Sequence, residues 1–129
     1  MNRLHRLLRK PFFGRYEAPW VWPPGSVEAE WERVTFQSAN GAHLVGLWGL
    51  AEGDVIGTLV LAHPMGKAAK GFWLRNGHTK LFRRSGFNVL AFDFNGFGES
   101  EAASFDYPAD ILAAGLWAQD RQPSLPVGL

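Results

Sequence analysis

The sequence predicts an α/β protein with a mainly parallel sheet, an antiparallel β-hairpin at one edge of that sheet, and helices on its faces. Two observations carry this prediction. Short alternating or continuous apolar runs recur along the chain as strands, and two segments with helical spacing separate the later runs. Strands joined through a helix pair in parallel by a right-handed crossover, whereas strands joined by a short turn pair antiparallel.

The hairpin comes first along the chain. Residues 31–37 alternate between apolar and polar, and residues 43–50 return after a turn in which Asn40 and Gly41 suit a positive φ. A nearly continuous apolar run at 58–62 then predicts a strand that is covered on both faces, as in parallel sheets.

Two helices and two further strands complete the predicted order. Apolar residues recur at steps of three and four over 71–85, which predicts a helix. A buried strand is predicted at 87–92. Pro108 suits the first turn of a second helix, which runs to about residue 120. A last strand is predicted at 125–129.

Composition and charge narrow the class of protein. The chain has 129 residues and is 47% hydrophobic, which is too apolar for a disordered protein. The net charge is +1, but the first fifteen residues carry five basic and no acidic side chains, so the rest is mildly acidic and nucleic-acid binding is not expected. The sequence has no cysteine, which fits a reducing compartment, and we predict a cytoplasmic protein.

Residues 1–30 are predicted as a separate unit, a basic N-terminal helix followed by an arm rich in proline and tryptophan. Three leucines share one stripe of residues 1–10, but the apolar stretch is too short for a secretory signal. Three alternatives stay open for this segment: a helix that packs on the body, weak contact with an anionic membrane surface, or a targeting sequence. Residues 31–129 form the second unit.

Two motifs directly follow strands of the predicted parallel sheet, at the edge where α/β proteins place their sites. The first is His63-Pro64-Met65-Gly66. The second reads FDFNGFGES and ends at Ser100. The glycine of the first motif lets the backbone turn sharply and expose amide hydrogens, which is what an oxyanion-binding loop requires.

Taken in order, with a helix between them, the two motifs resemble the amino-terminal half of the α/β-hydrolase family over residues 31–129. In that family a His-Gly-x-Gly-like segment follows one strand, and an Asp and a Gly-x-Gly-x-Ser run follow the next. The resemblance implies a full-length parent that hydrolyses ester, thioester or amide bonds of a small acyl substrate through a serine acyl-enzyme, with no cofactor. The last predicted strand would then precede the nucleophile elbow, and the remainder of the hydrolase domain would be a partner of this chain.

The resemblance assigns roles to individual residues. The backbone N–H of Met65 is the expected oxyanion donor, and His63 and Gly66 shape the oxyanion loop. Pro64 stands where the family usually has Gly, and proline has no N–H, but the expected donor lies one residue later. Structural roles in the second loop fall to four residues: Asp93, Gly96, Gly98 and Ser100.

The catalytic triad is not expected among these 129 residues. Ser100 lacks the second glycine of the Gly-x-Ser-x-Gly elbow, and the family places its acid and its histidine after the fifth strand. The four histidines have no metal-ligand spacing, so no metal site is expected. The chain alone is therefore predicted to be inactive. The alternative is a complete, small, non-catalytic α/β binding or interaction module.

A run of basic residues lies between positions 67 and 84, and no acidic residue interrupts it. Such runs usually form a solvated helix face. The alternative is a basic rim near the oxyanion loop that favours an anionic substrate. The run contains Lys67, Lys70, Arg75, Lys80, Arg83 and Arg84.

Overall fold

A computed structural model describes residues 20–66 and 68–129 of the chain. The sheet is formed by β1 (Glu32–Gln37), β2 (His43–Gly49), β3 (Gly57–Ala62), β4 (Phe87–Phe92) and β5 (Val127–Gly128). The helices are α1 (Gly71–Arg75), α2 (His78–Arg84) and α3 (Tyr107–Arg121), and a short 3-10 turn spans Glu28–Glu30. The predicted N-terminal helix lies outside the described residues.

The five strands have the order β1-β2-β4-β3-β5. β2 pairs antiparallel with both β1 and β4, whereas β3 pairs in parallel with both β4 and β5. Within this sheet, β2 therefore runs against the other four strands. The predicted α/β class, with parallel strands and an antiparallel hairpin at one edge, is confirmed.

The hairpin turn forms where the Asn-Gly pair predicts it. Gly41 has a φ of 90°, and its N–H donates to the carbonyl of Ser38 over 2.9 Å. The N–H of Ser38 donates in turn to the carbonyl of Ala42 over 2.9 Å. Glycine takes this positive φ without a Cβ clash, which lets the two strands meet in register.

The prediction of one helix over 71–85 is wrong, because the segment forms two helices, α1 and α2. Gly77 between them has a φ of 75°, a left-handed conformation that ends a right-handed helix. Its N–H donates to the carbonyl of Leu74 over 3.3 Å and so satisfies the last turn of α1. The apolar spacing continues across this break, so periodicity alone does not reveal it.

The last strand is shorter than predicted. Of residues 125–129 only Val127–Gly128 pairs with β3, opposite Thr58 and Leu59. Pro126 has no N–H to donate, but its carbonyl accepts the N–H of Thr58 over 2.9 Å. The segment nevertheless lies in the sheet and runs parallel to β3, as predicted.

The helices cover both faces of the sheet. Leu90 and Phe92 of β4 face α3, where Ala114 is fully buried, whereas Val89 and Ala91 face α1 and α2. Successive strand residues point to opposite faces, so a strand covered on both sides must be apolar throughout. No helix in the described part of the chain is both long and apolar enough to cross a membrane.

Candidate functional site

The two sequence motifs lie side by side at the carboxyl end of the parallel strand pair. Ala62 and Phe92, the last residues of β3 and β4, are partners in the strand register. The loops that begin at His63 and Asp93 therefore leave the sheet next to each other. This edge of a parallel sheet is where α/β proteins bind their ligands.

His63 joins the two loops through both of its ring nitrogens. The side chain is buried, and its Nε2 accepts the N–H of Phe94 over 3.1 Å. Nε2 must be unprotonated to accept, so Nδ1 carries the proton and donates to the carbonyl of Pro64, 2.8 Å away. The rings of Phe94 and Phe97 meet the imidazole edge-on, with centroids 5.0 and 5.3 Å away. His63 is therefore a fixed, neutral link between the turn and the β4 loop.

Burial lowers the pKa of His63 below its usual value of 6.5. The hydrogen bond to Pro64 and the nearby carboxylate of Asp93 raise the pKa, but by less than burial lowers it. Protonation of Nε2 would also remove the acceptor that the Phe94 N–H uses. Both effects favour the neutral ring in the folded chain.

We expect the chain to lose stability as the pH falls below about 6.5. There the unfolded chain binds a proton at His63 that the folded chain excludes, so the contribution is complete above this pH and is lost below it. Urea unfolding between about pH 5 and about pH 8 measures the effect, and His63→Gln is the non-titrating comparison. A variant whose unfolding free energy falls as steeply with acid as that of the parent would contradict this role.

A buried ion pair makes the second connection between the loops. Lys70 and Asp93 have no exposed side-chain surface, and Lys70 Nζ lies 2.6 Å from Asp93 Oδ2. The backbone N–H of Lys70 donates to Asp93 Oδ1 over 2.8 Å, and that of Glu99 donates to Oδ2 over 3.0 Å. Asp93 therefore fastens the segment after the His63 turn to the β4 loop with both of its carboxylate oxygens.

Glu99 carries the charge network from Lys70 to the surface. Its Oε1 accepts Lys70 Nζ over 3.0 Å, and its Oε2 accepts Arg33 Nε over 3.2 Å. Burial raises the pKa of Glu99, but the hydrogen bond and charge of Lys70, together with Arg33, outweigh this and leave the pKa below its usual value of 4.5. Glu99 is therefore ionised at neutral pH, and the buried Nζ of Lys70 lies between its carboxylate and that of Asp93.

Ser100 and the loop glycines serve the conformation of the β4 loop. Ser100 is buried; its hydroxyl donates to the carbonyl of Asp93 over 2.7 Å and accepts the N–H of Val45 over 2.9 Å. Gly96 and Gly98 have φ values of 79° and 52°. A Cβ on Gly98 would overlap the carboxylate of Asp93. The loop therefore leaves room only for glycine at this position.

A further polar cluster, which the sequence did not suggest, joins the β4 loop to α3 and to the hairpin. Asp110 is fully buried, and its Oδ2 accepts the N–H and Nδ2 of Asn95 over 2.9 and 2.7 Å. Its Oδ1 accepts Nδ2 of Asn40 over 3.1 Å. Asn95 Oδ1 accepts the N–H groups of Ala103 and Ser104 over 3.0 and 3.1 Å. Three segments distant in sequence are thus held at one place.

Met65 lies at the outer end of the His63 turn. The residue is 43% exposed, and its N–H makes no hydrogen bond to another described residue. The carbonyl of Gly66 accepts the N–H of Ala69 over 3.2 Å, and Ala69 has a φ of 48°. A role of the Met65 amide as a donor to an external oxygen atom stays a prediction.

The interpretation of the basic run as a solvated helix face is wrong for Lys70, which is fully buried. Arg83 is also engaged: it donates to the Leu50 carbonyl over 2.7 Å and to Glu30 over 3.2 Å. Arg75, Lys80 and Arg84 are exposed, as the solvated-face interpretation predicts. A basic rim for an anionic substrate stays a prediction.

Two buried acidic side chains near this edge of the sheet accept hydrogen bonds from N–H groups. Asp93 and Asp110 accept backbone and side-chain donors with both of their oxygens. Across residues 20–66 and 68–129 no three histidine, aspartate or glutamate side chains gather as candidate ligands of a metal ion. These bonds fix the two loops to each other and to α3.

Comparison of the sequence with family models and with curated proteins finds no match. Solved structures do match. An esterase from Pyrococcus furiosus, Pf2001, shares 22% identity with a TM-score of 0.65 over 81% of this chain and 42% of its own. A lidless α/β serine hydrolase from Xanthomonas campestris shares 23% identity with a TM-score of 0.63 over 78% of this chain and 50% of its own. An α/β hydrolase from Vibrio vulnificus shares 16% identity with a TM-score of 0.65 over 97% of this chain and 45% of its own.

At these identities the likeness concerns the fold. This chain spans half or less of the length of each of the three proteins. The chain has part of the α/β-hydrolase fold.

Proposed function

We propose that this chain supplies the oxyanion-binding turn of an α/β-hydrolase that cleaves ester, thioester or amide bonds through a serine acyl-enzyme. One observation carries the proposal: the Met65 turn leaves the carboxyl end of β3 and is anchored to the β4 loop by the His63–Phe94 hydrogen bond and the Lys70–Asp93 ion pair. Esterases and serine hydrolases among the solved structures of this fold support it.

The proposed chemistry needs a donor that is already in place when charge develops. Attack on an acyl carbonyl turns its oxygen into an oxyanion, and backbone N–H groups held at a fixed position stabilise that charge without reorganising. Removing one such donor typically slows an enzyme about 10²–10³-fold. The N–H of Met65 would be the first donor. The second would come from the residue after the nucleophile, as in the general scheme of this fold.

The nucleophile, the acid and the base of the triad are proposed to lie outside these 129 residues. Ser100 donates and accepts hydrogen bonds within its own loop, so it is not a free hydroxyl. His63 accepts a backbone N–H through Nε2, so it cannot also take a proton from a serine. The chain by itself would then bind an oxyanion without any group to generate one.

We expect the purified 129-residue chain to show no esterase turnover and no covalent labelling. The assay uses a p-nitrophenyl ester for turnover and a fluorophosphonate probe followed by mass spectrometry for labelling. An intact serine hydrolase carried through the same procedure shows that the probe is reactive. Stoichiometric labelling of any serine in this chain would overturn the assignment of the nucleophile to another segment.

A further inference from the structure

Trp20 covers the ammonium of Lys70. Nζ lies 3.9 Å from the centroid of the Trp20 ring, within the range of a cation–π interaction. No side-chain surface of Lys70 is exposed. Trp20 belongs to the arm that precedes β1, so part of the wall around this buried charge comes from outside the sheet and its helices.

The arm lies directly on the start of α1 because Gly71 leaves room for it. A Cβ at Gly71 would lie 3.3 Å from Trp20 Nε1 and 3.2 Å from Pro23 Cγ, tighter than ordinary side-chain contacts. Trp22 meets the Trp20 ring edge-on, with centroids 4.9 Å apart. The indole of Trp20 is therefore held between α1 and the next turn of the arm.

The Lys70 ammonium needs this cover for an electrostatic reason. An ammonium carries three N–H donors, and a buried one is costly unless it is paired and hydrogen-bonded. Asp93 and Glu99 accept two of these donors, and the electron-rich face of Trp20 meets the charge as well. Water admitted at Trp20 would compete for Nζ and screen its attraction to Asp93.

We propose that Lys70 is a positioning residue that holds the Met65 turn, and that Trp20 is the cover that shields the Lys70 ammonium from water. Lys70 holds Asp93 through its side chain and its backbone N–H, and so links the end of the turn to the β4 loop. His63 is the other anchor of the same turn. The inference rests on the proposed function only in naming the turn a catalytic element, since the cover and the anchor are properties of this chain alone.

Lysine acetylation followed by mass spectrometry tests the cover. In the folded parent chain, Lys70 should react at least about tenfold more slowly than exposed Lys80, an internal reference in the same molecule. Trp20→Leu should raise the ratio of the Lys70 rate to the Lys80 rate at least about fivefold. Trp20→Phe, which keeps an aromatic face, should leave the ratio close to that of the parent. Val21→Ala, at an exposed neighbour, should not change it.

Amide hydrogen exchange tests the positioning role. In Trp20→Leu, the N–H groups of Phe94 and Glu99, which are bonded to His63 and Asp93, should exchange about tenfold faster. The amide of Leu90, in the centre of β4, should keep its parental rate. Faster exchange at Leu90 by the same factor would mean a general loss of stability and would contradict the proposal.

The outcomes separate this inference from the proposed function. A Lys70 that reacts as fast as Lys80 in the parent, or that stays protected in Trp20→Leu, overturns the cover whatever the chain catalyses. A labelled serine in the fluorophosphonate experiment overturns the proposed source of the nucleophile and leaves the cover standing.

Discussion

Lys70→Met is expected to lower the free energy of unfolding by about 3–5 kcal/mol, the usual cost of removing one partner from a buried ion pair. The variant keeps much of the side-chain volume but leaves Asp93 and part of Glu99 buried without their cation. A domain of this size has only about 5–15 kcal/mol of stability, so the variant should lose a large share of it and unfold at a clearly lower urea concentration than the parent.

Urea unfolding followed by circular dichroism measures this loss, and Lys80→Met is the matched control. Lys80 is exposed on α2, so its replacement removes the same charge without opening a buried pair. We expect the control to unfold close to the parental midpoint. A Lys70→Met chain that unfolds at the same urea concentration as Lys80→Met would show that the buried pair does not hold the loops.

Gly98→Ala is expected to cost roughly 3 kcal/mol, from two causes that add. A side chain at a φ of 52° adopts a left-handed conformation, which costs about 1–2 kcal/mol. The new Cβ also overlaps the Asp93 carboxylate, which is fixed by its bonds to Lys70 and Glu99. Overpacking of a filled site adds about 1–3 kcal/mol.

Gly53→Ala separates the two causes of the Gly98 effect. Gly53 also has a positive φ, 77°, but no atom lies within 4 Å of a Cβ built there. This control should therefore lose only the conformational part, about 1–2 kcal/mol. Thermal unfolding of both variants measures the difference between them. Equal losses in Gly98→Ala and Gly53→Ala would contradict the close contact with Asp93.

Much of the fold could be predicted because its signals are local. The buried strand at 87–92 has the predicted bounds, because a short apolar run that follows a glycine is typical of a buried strand. The turn at Gly41 and the first turn of α3, which contains Pro108, depend on backbone conformations that glycine and proline themselves favour.

The incorrect fold predictions concern features that the spacing of apolar residues does not reveal. Gly77 ends α1 through its own φ, although the apolar spacing runs on into α2. Only Val127–Gly128 pairs with β3. The flanking residues are also apolar, so composition does not show where this strand begins and ends.

The positions of the two loops were predictable, and their contacts only in part. Both loops were predicted at the carboxyl ends of parallel strands, and the direct pairing of β3 with β4 makes them neighbours. The burial of Lys70 was not foreseen, because a lysine in a basic run is exposed by default. The bond between Asn40 and Asp110 joins residues 70 positions apart, and no local pattern marks such a pair.

The sequence of the gene beyond the codon of Leu129 tests most directly whether the Met65 turn belongs to a serine hydrolase. We predict an in-frame continuation that encodes Gly-x-Ser-x-Gly within about ten residues, since the elbow follows directly on the fifth strand of this fold. A stop codon at that place, or a continuation without the motif, would contradict the proposed hydrolase and favour a small non-catalytic binding module.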